Sequence, residues 1–119
     1  MKFKLFLLSL FITSNVQAME MYLLDTKIQN TNFKDFLILN SVKKTVAGTL
    51  TVPGQFTTKI LNVKADKQKI SFDISAIENN SPLKGSYELL SSNGFKNLKG
   101  KLIIEGRTYS IIGKRIYAE

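Results

Sequence analysis

Nine carboxylates are the candidates for acid–base chemistry in this chain: Glu20, Asp25, Asp35, Asp66, Asp73, Glu78, Glu88, Glu105 and Glu119. The 119-residue sequence contains no His and no Cys. A thiol nucleophile, an imidazole base, a disulfide and the usual zinc ligand sets are therefore excluded. A carboxylate-based hydrolase needs two carboxyl groups facing each other across a cleft. Asp25, Asp35 and Asp73 are the only ones placed in mid-strand patterns, and each alternates with apolar neighbours, which predicts that all three point to solvent. Calcium-loop spacing, a G-x-S-x-G elbow, an S-x-x-K dyad and a phosphate-binding glycine loop are all missing. Catalytic residues, a metal and a cofactor are accordingly not expected.

The basic residues offer the second kind of chemistry. Lys and Arg number 17 against 9 acidic residues, a formal net charge of +8. Lys64, Lys67 and Lys69 gather near one turn, and Lys99, Lys101, Arg107 and Lys114 fall on the last two extended segments. These last four are the candidate contacts for an anionic envelope surface: phosphate of lipopolysaccharide, anionic phospholipid, teichoic acid or an acidic protein. The plainer alternative is a solvated lysine face that protects strands from pairing with strangers. Nucleic acid is not an expected partner, because the aromatic residues sit at core-like alternating positions rather than beside the lysines.

The elements that must carry these groups read as strands. No window sustains an apolar helical stripe with caps, whereas period-two alternation is frequent. It is clearest over Lys69–Ile77, where Ile70, Phe72, Ile74 and Ala76 share one face. Pro53-Gly54, Asn79-Asn80 and Asn93-Gly94 mark turns, and Glu105-Gly106 or Gly106-Arg107 makes a tight hairpin. Eight strands follow: Tyr22–Ile28, Phe33–Val42, Thr45–Val52, Phe56–Ala65, Lys69–Ile77, Leu83–Leu90, Phe95–Glu105 and Thr108–Tyr117. With no room for helical crossovers they form an all-β antiparallel meander. Gly48, Gly85, Gly100 and Gly113 each share a face with large apolar residues. Glycine weakens a strand, so its use there predicts sharp coiling and crowding, as in a closed or nearly closed small β-barrel. A β-sandwich is the alternative.

The chain opens with a targeting pattern. Lys2 and Lys4 precede the apolar run Leu5–Ile12, and Val16-Gln17-Ala18 ends the segment with small or β-branched residues at the right spacing. That is the layout of a secretory signal peptide over 1–18, with a mature domain over 19–119. The apolar run is far shorter than the ~20 residues that span a bilayer, so no transmembrane segment is expected. Export would be periplasmic or extracellular, and without Cys the fold must rest on its apolar core.

The run GTLTVPGQFTTKILNVKADKQKISFDI, followed by the glycine-centred strands LKGSYELL and LKGKLII, resembles the small exported calycin-like (lipocalin-like) β-barrel modules of bacteria. The resemblance spans about Val46 to Gly113 and implies an up-and-down barrel with an apolar interior able to hold a small hydrophobic ligand. The chain departs from lipocalins in lacking any Trp and hence their Gly-x-Trp start. The candidate interior residues are Phe72, Ile74, Tyr87, Leu102 and Tyr109. The expected function is a non-enzymatic binding protein, for a small apolar ligand inside or an anionic surface outside. A structural or inhibitory partner of another secreted protein, acting through loops 78–82 and 91–94, is the alternative, and a carboxylate hydrolase ranks last.

Overall fold

The computed structural model describes residues 17–42, 45–78 and 80–119. The leader expected over 1–18 lies outside the described residues except for Gln17 and Ala18, which begin the first strand. Every described element is a strand: β1 (Gln17–Ile28), β2 (Thr31–Val42), β3 (Thr45–Val52), β4 (Phe56–Lys59), β5 (Leu61–Ala65), β6 (Lys69–Glu78), β7 (Ser81–Ser92), β8 (Asn97–Ile104) and β9 (Arg107–Ala118). They form one nine-stranded antiparallel sheet in the order β4-β3-β2-β1-β9-β8-β7-β6-β5.

This is the expected meander, with two corrections. The segment Phe56–Ala65 is two strands, because it changes partner at Ile60: β4 pairs with β3, and β5 pairs with β6. The sheet is also not closed by a ladder into a barrel, since β4 and β5 remain its edges. Those edges are nevertheless consecutive pieces of chain, separated by Ile60 alone. A bulge follows where Leu61 pairs with Asp73 and Lys64 with Ser71, with Asn62 in the left-handed region at φ 51°. Thr58 Oγ1 donates to the Ser75 carbonyl at 3.1 Å, tying the β4 edge to β6.

A single sheet with no second layer can bury a face only by curling on itself. One core results, drawing Tyr22, Leu24, Leu37, Leu50, Phe72 and Leu89 from five strands, each at most 1% exposed. Phe72 and Tyr87 face each other across the β6–β7 ladder, their rings stacked at 4.7 Å and 16°. Two glycines permit the tight coiling. A Cβ on Gly48 would collide with the Ile38 carbonyl, and one on Gly100 with the Glu88 carbonyl, both on neighbouring strands. The β8–β9 turn has Glu105 and Gly106 at φ 51° and 75°, the two left-handed residues that match a hairpin's twist.

Candidate functional site

The inner face of the sheet holds a cavity of about 230 Å³ at the end surrounded by the β1–β2, β3–β4, β6–β7 and β8–β9 turns. Its wall is mostly hydrocarbon, with Phe56, Ile74, Leu83, Leu102 and Ile104 prominent. Alternation accounts for this lining. Ile74 continues the inward row Ile70–Phe72, and Leu102 continues the row Leu98–Gly100.

Asp35 interrupts the hydrocarbon. It is 5% exposed, on the inward row with Leu37 and Leu39, and it lines the cavity. Its Oδ1 has no hydrogen-bond partner among the described residues. Thr26 is 1% exposed, lines the same cavity, and its Oγ1 is likewise unpartnered. In the ladder Leu24 faces Asp35 and Thr26 faces Phe33, so Thr26 and Asp35 are diagonal neighbours on the inner face. Burial pushes the Asp35 carboxyl from an ordinary 3.8 up to about 6. Burial also raises the Tyr87 hydroxyl, and the Asp35 charge raises it further.

The expectation that Asp35 points to solvent is thus corrected. Both faces of FKDFLILN are apolar, so alternation gives no single outward side. The usable signal was parity: Asp35 stands two residues from Phe33 and from Leu37, on the row that becomes buried. Asp25 does face outward and pairs with Lys34 at 3.1 Å. Asp73 also faces outward, accepting hydrogen bonds from Asn62 Nδ2 at 2.9 Å and Ser86 Oγ at 2.8 Å. Those two bonds hold its carboxyl below the ordinary value. It lies in a wider outer depression of about 460 Å³ beside the β5 bulge. Asp35 is the only carboxylate among the described residues lining the inner cavity.

Of the five interior candidates, Ile74, Tyr87 and Leu102 line the cavity. Phe72 is 1% exposed and packs beneath it against the Tyr87 ring, so it belongs to the core rather than the wall. Tyr109, opposite Leu102, is half-buried against the core and outside the lining. The residues that composition and alternation missed are Thr26 and Asp35. At the far end of the curl, Tyr22 donates its hydroxyl to Glu20 Oε1 at 2.8 Å, and Arg115 Nη1 stands 3.4 Å from Glu20 Oε2. Burial, reinforced by the Glu20 charge, raises the Tyr22 hydroxyl above its ordinary range.

On the outer face, Lys99, Lys101 and Lys114 share one side: in the β8–β9 ladder they face Ile112, Ser110 and Asn97. Arg107 does not join them. It has the opposite parity, faces Ile104, and is exposed at the hairpin end. Lys101 approaches Glu88 at 3.9 Å, an exposed pair worth little. Exposed Leu90 and Ile112 flank Lys99 in the same cross-strand row. The proposed partner loops are short: β7 already begins at Ser81 and runs to Ser92, which leaves little free loop at 78–82.

In comparisons with known proteins, no family model, curated protein or solved structure matches this chain. Of the calycin-like resemblance, the all-β antiparallel meander is what the fold shows, and no family is identified.

Proposed function

We propose that this is an exported, non-enzymatic binding protein, a nearly closed barrel of the calycin-like kind that holds a small, mainly apolar ligand in its inner cavity. The observation that carries the proposal is the cavity itself: about 230 Å³, walled by hydrocarbon and carrying two polar oxygens without a partner among the described residues. Apolar walls with a few convergent polar groups are the usual make-up of small-molecule sites. The near-closure is supported by the edges meeting at Ile60 and by the Thr58–Ser75 bond. The non-enzymatic part is supported by the single carboxylate among the described residues of the cavity and the absence of His and Cys from the sequence. Export rests on the pattern of residues 1–18.

The test is native mass spectrometry of the protein purified from its own cells under non-denaturing conditions. The proposal expects a bound fraction heavier than the processed chain by one small molecule, lost on organic extraction. A homogeneous unliganded mass, together with no uptake of added apolar probes, contradicts it.

A second reading, attachment to an anionic envelope surface, is favoured by the shared outward face of Lys99, Lys101 and Lys114. It concerns the opposite side of the sheet, so the two readings are compatible.

A further inference from the structure

We infer that the inner cavity is a site for a compact apolar amine, whose ammonium group lies against Asp35 Oδ1 and Thr26 Oγ1 while its hydrocarbon part packs on Ile74, Leu102 and Phe56. This rests on the proposal that the cavity holds a ligand and adds the chemistry of the head group.

The argument begins with what the cavity lacks. Asp35 and Thr26 are buried, and neither Oδ1 nor Oγ1 has a protein partner among the described residues. A buried polar group without a partner is costly, and a buried carboxylate without a countercharge more so. No Lys or Arg lines the cavity among the described residues. Among the described residues the only other titratable one in the lining is Tyr87, whose hydroxyl remains neutral. Arg107 lies at the β8–β9 turn, exposed to water and outside the lining.

An ionised carboxylate only accepts hydrogen bonds, and a hydroxyl can accept as well. An ammonium group donates three, and a charge-assisted bond is about twice as strong as a neutral one. It therefore supplies both the missing donors and the missing charge. An alcohol supplies one donor and no charge. A carboxylate supplies a second negative charge beside Asp35. With its carboxyl titrating at about 6, Asp35 is ionised at neutral pH and able to form the ion pair.

Size narrows the hydrocarbon part. An apolar cavity of about 150 Å³ accepts benzene. At about 230 Å³ this one fits a single ring with a short chain. Arylalkylamines and short branched alkylamines meet both requirements.

The experiment titrates the purified protein with 2-phenylethylamine, 2-phenylethanol and phenylacetate, which share a skeleton and differ in head group. Binding is read from amide chemical shifts. At about pH 8 the amine binds about tenfold or more tighter than the alcohol, with shifts at Thr26, Ile74 and Leu102. At about pH 4.5, where Asp35 is protonated, that preference falls to about twofold or less. Asp35→Asn removes the preference while keeping alcohol binding. If that variant does not fold, the pH comparison on the unaltered protein decides alone. Equal affinity for amine and alcohol at both pH values, or preference for phenylacetate, overturns the amine assignment and leaves the ligand cavity standing. No cavity shifts with any of the three probes at millimolar concentration overturns both.

Discussion

Thr26 and Asp35 sit diagonally across the β1–β2 ladder, and each buries an oxygen that no described residue satisfies. Cores bury such groups with partners. Here the two lie together on the wall of a cavity inside the curl, so the defect in the core and the candidate site coincide. Stability given up at a binding site is recovered when those groups are removed, which makes the arrangement testable without knowing the ligand.

Asp35→Leu is expected to stabilise the unliganded protein by about 1–3 kcal/mol, the desolvation cost of an unsatisfied buried group. For a domain of this size that raises the melting temperature by roughly 4–8 °C per kcal/mol, measurable by thermal circular dichroism. Thr26→Val, nearly isosteric, acts in the same direction by about 1 kcal/mol.

The pH dependence has a definite sign. The Asp35 carboxyl is raised in the folded state from 3.8 to about 6, so the folded protein holds a proton that the unfolded chain releases over that interval. Stability therefore falls as pH rises from about 4 to about 6, by up to roughly 3 kcal/mol, and levels off above. Asp73, lowered by its two hydrogen bonds, acts oppositely, with a contribution lost only as pH falls below the ordinary carboxylate range. Urea unfolding at a series of pH values checks this, and Asp35→Asn should flatten the slope between pH 4 and 6.

The sheet's coiling depends on close strand approach at Gly100 and Gly48. Gly100→Ala must displace the Glu88 carbonyl on β7, a backbone atom that cannot rotate aside. A loss of about 2–3 kcal/mol or more is expected in urea unfolding. Gly85→Ala is the control. Its nearest neighbours are side-chain atoms of Ile104 and Leu102 at 3.3 Å, and a smaller loss follows.

For the outer face, reversing Lys99, Lys101 and Lys114 to Glu should abolish retention on vesicles containing anionic lipid while leaving the melting temperature within a few degrees. Retention by the unaltered protein should weaken steeply with added salt. Retention that ignores salt, or that survives the reversal, argues against a lysine-face mechanism.

Most of the sheet was legible from alternation and turn residues. The row Ile70, Phe72, Ile74 is clean because polar residues separate its members, and β6 follows it. Glu105-Gly106 and Pro53-Gly54 carry their turns in their own chemistry. Legibility failed where local pattern carries no information about tertiary partners. Nothing in Thr57–Val63 announces that the chain leaves β3 for β6 at Ile60, because both halves remain extended. In β2 both faces are apolar, one against the core and one outward, so the side of Asp35 was ambiguous by composition. A carboxylate facing a core contradicts local preference, and such contradictions concentrate at sites of function.

The most direct test of the account is the titration of the Asp35 carboxyl carbon by ¹³C NMR in the unliganded protein. A midpoint near 6 is predicted, moving down when 2-phenylethylamine is bound. A midpoint near the ordinary 3.8, unchanged by the amine, would mean that Asp35 faces water and that the cavity lacks its polar anchor.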